Sequence, residues 1–382
     1  MKKVLVPSVR FKGFSEEWEQ GNIGEVFELT RGEVLSQRKI RSKKMGKYIY
    51  PVFSSQTLNN GLLGFYNNFL FKNSITWTTD GANAGTVLYR DGLFYATNVC
   101  GVMLQKTSIK PSSYFAHEIN VKVKKHVIKA GNPKLMINVL HEVLINFSKN
   151  KLEQEKISIL IENIDNLITL EQTKLNKLKQ IKETLLQKMF PEGNSKTPRI
   201  RFKGFEGEWK EEKLDDIFKV ITGGEPPKNY KNSKHPVGMY KYPIYSNGQE
   251  ANAIWGFSDN YSINTEAITI SSIGTIGFPV VRKMFFTPII RLKTLLPYNK
   301  NMNINFLNLS VSQINFSFNQ AGIPSMNSNQ LKDNIILISR NFSEQQKIGD
   351  FFSKIDTLIN LYNSKLNKLK QIKEALLQKM FV

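Results

Sequence analysis

The residues able to do chemistry are few, and their spacing is poor for it. The four histidines His117, His126, His141 and His235 stand eight or more residues apart, which is no zinc-ligand pattern. The single cysteine, Cys100, rules out an internal disulfide framework and a four-cysteine metal site, and fits a reducing compartment. No Gly-x-x-x-x-Gly-Lys-Ser/Thr loop for nucleotide phosphates occurs. Gly223-Gly224-Glu225-Pro226-Pro227-Lys228 comes near the Asp/Asn-Pro-Pro-aromatic loop of enzymes that methylate base amino groups. Here Glu stands first and Lys fourth, so the amide or carboxylate geometry and the stacking ring are both missing. Gly274-x-x-Gly277 reads as a strand–turn–strand connection, too short a signal for a dinucleotide or methyl-donor fold. Glu208-Trp209-Lys210 has carboxylate–lysine spacing, but its repeat equivalent is Glu17-Trp18-Glu19, inside a segment better suited to packing.

What remains is positive charge. The formal net charge is +21. Residues 1–150 hold 21 basic and 10 acidic side chains, and residues 191–342 hold 18 and 12. The segments between and after them are nearly balanced. The surplus therefore sits on the globular parts, as expected for a polyanion partner, although a lysine-rich proteome would also raise it. Arg38, Lys39, Arg41, Lys43, Lys44 and Lys47 crowd into ten residues with little apolar pattern. That reads as an exposed loop, either merely solvated or in contact with phosphates. Lys228, Tyr230, Lys231 and Lys234 are the matching candidates in the second half, on composition and position alone.

The elements that must carry these loops come in duplicate. Lys174-Leu175-Asn176-Lys177-Leu178-Lys179-Gln180-Ile181-Lys182-Glu183 returns unchanged 191 residues later, half of the 382-residue length. Residues 152–190 and 343–381 agree at 25 of 39 positions without a gap. Arg10-Phe11-Lys12-Gly13-Phe14 with Trp18 recurs at the same offset as Arg201-Phe202-Lys203-Gly204-Phe205 with Trp209. Such a fixed-period repeat outranks any single motif as evidence of architecture. The chain divides into globular units at 1–150 and 191–342, each followed by a helix, 151–190 and 343–382.

Each helix shows an apolar seam. Steps of four and three give Ile157, Ile161, Ile164, Ile168, Glu171, Leu175, Leu178, Lys182, Leu185 and Met189 in the first. In the second they give Ile348, Phe352, Ile355, Ile359, Tyr362, Leu366, Leu369, Lys373, Leu376 and Met380. That is a coiled-coil pattern with polar interruptions. At 1.5 Å per residue each helix is roughly 58 Å long. Pro191 and Gly193 end the first. Two such helices in one chain should pair, and antiparallel pairing would set the units at opposite ends about a pseudo-twofold.

Within the units, residues 48–53, 75–79 and 99–104 read as strands. Residues 87–89 and 93–95 flank Asp91-Gly92, a hairpin signal. Residues 23–29 and 136–147 have helical spacing. In the second unit, residues 242–245, 268–271 and 280–281 take the strand positions. Residue identity nearly vanishes between the shared openings and the shared helices while length is kept. The fold class is α+β, with a constant scaffold and a varied working surface.

The repeated Pro-x-Ile/Val-Arg-Phe-Lys-Gly-Phe-x₃-Trp opening resembles the specificity subunits of type I restriction-modification systems. So do Ala321-Gly322-Ile323-Pro324, residues 335–338, Glu344-Gln345-Gln346-Lys347-Ile348 and the Leu-Asn-Lys-Leu-Lys-Gln helices. The first half departs at Gly131-Asn132-Pro133, where the apolar residue before proline is lost. The resemblance covers essentially the whole chain. It implies two target recognition domains, each reading one half of a split, asymmetric site in double-stranded DNA. It further implies that the two long helices pair as an antiparallel coiled coil, act as the spacer ruler and dock two methyltransferase subunits. On this reading the chain is a non-catalytic recognition subunit with no cofactor of its own. S-adenosylmethionine would belong to the methyltransferase subunits, and ATP and Mg to the restriction subunits of the full complex. The family's recognition domains diverge, so no base-reading residue carries over. Two other readings compete: a stand-alone adenine methyltransferase with an eroded motif, and a coiled-coil scaffold without a nucleic-acid role. The expected location is cytoplasmic. No run of about 18 apolar residues would span a membrane, and the first ten residues build no apolar signal core.

Overall fold

The computed structural model describes residues 5–55, 58–248, 253–320 and 322–381; Ala321 of the Ala-Gly-Ile-Pro motif lies outside these. The chain divides into two compact units, Met1–Gln172 with Lys365–Val382, and Thr173–Ser364. The division cuts both long helices, so each unit holds the start of its own helix and the end of the other.

The long helices are Lys151–Met189 and Phe342–Met380, 39 residues each. They begin the same way. Asn150 Oδ1 accepts from the Leu152 amide at 3.0 Å, and Asn341 Oδ1 from the Ser343 amide at 2.9 Å. Each bond satisfies one of the amides that a helix start leaves unpaired. All twenty seam positions are buried or half-buried. Within the first unit Lys373 Nζ donates to Asp165 at 2.6 Å, and Lys365 Nζ to Glu171 at 3.1 Å. Within the second, Lys182 donates to Asp356. Partners rise along one helix as they fall along the other, so the helices pair antiparallel. Lys182 and Lys373 are repeat equivalents, as are Asp165 and Asp356, so one ion pair is used twice. Half-exposed pairs of this kind contribute little energy, roughly 0–1 kcal/mol each. The apolar seam supplies the adhesion, and the pairs favour one register.

The first unit is built on a six-stranded sheet. Its spatial order is Phe27–Arg31, Cys100–Gln105, Phe71–Thr78, Val87–Ala96, Tyr50–Phe53, Leu62–Tyr66. Only the pairing of Tyr50–Phe53 with Val87–Ala96 is parallel. Helix Ser113–Val123 lays Tyr114, Phe115 and Ile119 into the core with Ile75, Trp77 and Met103 of the sheet. A separate ribbon pairs Glu19–Asn22 with Leu144–Phe147.

The second unit repeats this plan with its sheet split in two. One part is Phe218–Thr222, Lys293–Pro297, Ala267–Ser271, Gly277–Arg282; the other is Tyr230–Lys231, Ile254–Ser258, Tyr242–Tyr245, Thr287–Pro288. Strand Val87–Ala96 holds the first unit's sheet together. Its counterpart stops at Arg282 and resumes at Thr287, and between them Phe285 takes φ +67°. The Gly274-x-x-Gly277 segment is the connection between antiparallel strands that its sequence suggests.

Three local expectations need correction. The helical spacing over residues 23–29 yields only one turn, Ile23–Val26; Phe27 starts a strand and pairs with Gln105. Residues 136–147 hold a helix only at Ile137–His141, and Leu144–Phe147 is a strand. In both cases a distant strand supplies bonds that local spacing cannot reveal. Asp91-Gly92 is no hairpin: one strand runs through it. Lys72 pairs with Leu93 and Ser74 with Arg90, so Asn73 alone faces Asp91 and Gly92. This is a β-bulge, with Gly92 at φ +72° and its amide on Asn73 Oδ1 at 2.8 Å.

The repeated opening segment is structural. Arg10 grips the fully buried Glu153 through two nitrogens, the second bond being 2.8 Å. Arg201 grips the equally buried Glu344 at 2.6 and 2.8 Å. Burial alone would raise the Glu153 pKa, yet the Arg10 bonds hold it below its usual value. Trp18 meets Phe381 edge-on in the first unit, and Trp209 meets Phe190 in the second. Val9 donates to the Lys379 carbonyl and Ile200 to that of Lys188, again one repeat apart. Each opening segment thus locks onto a helix end. The turn at Gly131-Asn132-Pro133 survives its missing apolar residue. Pro133 O accepts from the Gly81 amide as Pro324 O does from Gly274.

Candidate nucleic-acid interface

Arg38, Lys39, Arg41, Lys43, Lys44 and Lys47 are all exposed. The segment leaves strand Phe27–Arg31, makes a short 3₁₀ turn at Gln37–Lys39 and then runs beside strand Leu62–Tyr66. The Arg41 amide donates to Phe65 O at 2.9 Å and the Phe65 amide to Arg41 O at 2.7 Å. A Cβ on Gly64 would lie 2.4 Å from Arg41 O, so only glycine lets the segment approach. The Arg41 guanidinium sits 5.2 Å over Tyr48, and Lys44 Nζ 5.6 Å over Phe65.

The second unit builds the same device from Lys228, Tyr230, Lys231 and Lys234, all exposed. Tyr230–Lys231 pairs with Ser258 and Phe257. A Cβ on Gly256 would lie 2.5 Å from Lys231 O. Lys231 Nζ stands 5.7 Å over Tyr240, and Tyr230 packs on Trp255 at 4.6 Å. Lys231 is therefore the counterpart of Arg41: each cation lies over a tyrosine on a segment admitted by a glycine. Among the described residues, none of these nine cationic side chains forms an ion pair with a carboxylate. Solvated, unpaired cations on one ribbon are what phosphate contact requires.

Each unit also holds an arginine on its sheet that composition and spacing do not single out. Arg90 donates to Thr76 Oγ1 at 3.0 Å and to Asn60 O at 2.7 Å, and stacks 3.7 Å over Phe53. Arg282 donates to Thr269 Oγ1 at 3.0 Å and stacks 3.9 Å over Tyr245. Burial pushes the Arg90 pKa down to about 10, which leaves it charged at neutral pH. The pair escapes an ungapped comparison because Arg90 and Arg282 are 192 residues apart, and Thr76 and Thr269 193, against 191 at the flanks. The sequence signal was Tyr50-Pro51 with Phe53-Ser54, matched by Tyr242-Pro243 with Tyr245-Ser246. Identity in the middle of the units is shifted as well as reduced.

Among the described residues no three of His, Cys, Asp and Glu converge to hold a metal ion. No described helix is long and apolar enough to cross a membrane.

The duplication seen in sequence and fold is also that of a known domain. The model of the type I restriction modification DNA specificity domain matches twice, at residues 15–180 and 206–371. The chain belongs to this family. A relative named as a type I specificity subunit, S.MpnORF507P of Mycoplasma pneumoniae, is 31% identical over 355 residues, 92% of each chain. The specificity subunit of the type I restriction enzyme MpnII, from the same organism, is 31% identical over 169 residues, 44% of this chain and 48% of that one. In fold, the chain is similar to the S subunit of a type I restriction-modification system from M. genitalium. The TM-score is 0.71 at 18% identity, with 99% of each chain covered. Within this family the chain is a specificity subunit, a non-catalytic DNA-recognition component, and the eroded-methyltransferase and scaffold readings lose their support.

Proposed function

We propose that each globular unit reads one half of a bipartite, asymmetric site in double-stranded DNA. The paired helices fix the spacing between the halves and dock two methyltransferase subunits. Those subunits bring S-adenosylmethionine to adenine, and restriction subunits with ATP and Mg join them in a cytoplasmic complex. The observation that carries this reading is the duplicated ribbon: Arg41 over Tyr48 against Gly64, and Lys231 over Tyr240 against Gly256. Two equivalent basic ribbons on two otherwise divergent units suit two phosphate-held readers of different sequences. The ten ribbon residues singled out in the sequence are the proposed backbone contacts. Methylome sequencing of the host with and without this gene tests the proposal. A split adenine-methylated motif should vanish with the gene; an unchanged methylome would refute it.

A further inference from the structure

The second unit contains a cationic cleft at a sheet position that glycine and an indole occupy in the first. Its centre is Lys293, on strand Lys293–Pro297 and only 5% exposed. Its ammonium donates to Thr222 Oγ1 at 3.0 Å and to Ser328 Oγ at 2.8 Å, both neutral groups. Arg291, two residues earlier, lines the same cleft with its backbone at φ +60°, and Ile290 before it is at φ +51°. Two consecutive non-glycine residues in the left-handed region are uncommon and strained. The strained turn is held by the Ile290 and Arg291 amides on Gly224 O and Gly223 O, and by Ser272 Oγ on Arg291 O at 2.7 Å.

The cleft encloses about 360 Å³ and is walled by hydroxyl-bearing Thr222, Ser272, Ser325 and Ser328 besides the two cations. No carboxylate among the described residues lines it. A buried ammonium without a counter-charge is costly, and burial with the nearby Arg291 lowers the Lys293 pKa. The chemistry that would complete the site is an oxyanion accepting from Lys293, Arg291 and the hydroxyls. Thr222, in the cleft wall, precedes Lys228 of the second basic ribbon by six residues.

In the first unit the same lattice position is filled. Lys293 pairs across the sheet with Thr222 and Ile270, as Gly101 does with Arg31 and Trp77. A Cβ on Gly101 would lie 2.1 Å from the Trp77 ring. The indole thus covers the ground over which a side chain at this position would run.

We propose that the Lys293–Arg291 cleft is a phosphate site of the second unit, seating one backbone phosphate of the second half-site. The inference rests on the DNA-reading function above. Its test uses the complete methyltransferase complex and DNA carrying the motif. Binding is measured against salt concentration for the wild type, Arg291→Gln and Lys293→Gln. Each variant should lower the magnitude of the log affinity versus log salt slope by up to ~0.9, the value for one phosphate, with the methylated motif unchanged. Arg291 is exposed, so its variant reports even if Lys293→Gln fails to fold. In a second arm, inorganic phosphate at matched ionic strength should raise the wild-type melting temperature more than that of Arg291→Gln. If the wild-type complex binds DNA while the Arg291→Gln slope is unchanged, the cleft is only an internal strut and this inference falls. A relaxed base preference with an unchanged slope would overturn it too, by making Arg291 a base reader. If the wild-type complex does not bind DNA at all, the function itself falls.

Discussion

At the scale of residues, two charges are used in opposite ways. Solvated cations on the ribbons are held for a partner, whereas buried charges hold the scaffold. Neutralising Lys43, Lys44 and Lys47 together should lower the magnitude of the log affinity versus log salt slope by up to about 2.7, at ~0.9 per lost contact. An unchanged slope in a titration of the assembled complex would mean that this ribbon is merely solvated. Glu118 is a buried carboxyl whose charge the fold disfavours. It is fully buried on helix Ser113–Val123, accepts from the Asn146 amide at 3.0 Å, and has Lys122 Nζ 3.8 Å away. Burial pushes its pKa up from the ordinary 4.5 to about 7. Between those values the folded chain holds a proton that the unfolded chain has released. Stability therefore falls as pH rises through this window, by ~3 kcal/mol in all, and no further above it. Glu118→Gln keeps an acceptor for Asn146 and should remove that slope. Denaturant titrations at pH 4.5 and 8 should show the variant gaining on the wild type at the higher pH. An equal difference at both would contradict the assignment.

At the scale of elements, legibility tracked how local the cause was. The seam from Ile157 to Met189 was readable because burial repeats every three or four residues, and all ten positions face inward. Strand Tyr242–Tyr245 was readable from its aromatic and β-branched content. The strand at Phe27 and the bulge at Asp91-Gly92 were not, because their partners lie far away in sequence. The ribbon residues could be picked from composition. The glycines that admit them could not, because Gly64 and Gly256 gain meaning only once strands are paired, and the same holds for the matching arginines Arg90 and Arg282 on the sheets. The seam carries its own prediction. Four residues inserted between Thr169 and Leu170 displace the helix end by ~6 Å and nearly restore its face. The non-specific spacer of the methylated motif should then lengthen by one or two base pairs, with both half-motifs unchanged. A single inserted residue turns the seam by about 100° and should abolish assembly with the methyltransferase subunits. Retained activity with an unaltered spacer in the four-residue variant would show that the helices are not the ruler.

At the scale of the whole molecule, one unit is used twice with its reading surface changed. The repeat equivalents Arg10 and Arg201, Trp18 and Trp209, and Lys182 and Lys373 occupy matching structural roles. Between them the ribbons differ in charge and the sheet is continuous in one unit and split in the other. If the halves read separately, either surface can be replaced without touching the other. Exchanging residues 33–130 for the matching region of another specificity subunit, followed by methylome sequencing, tests this directly. One half of the methylated motif should change while the other half and the spacer stay as they were. A change in both halves, or in neither with methylation retained, would contradict it.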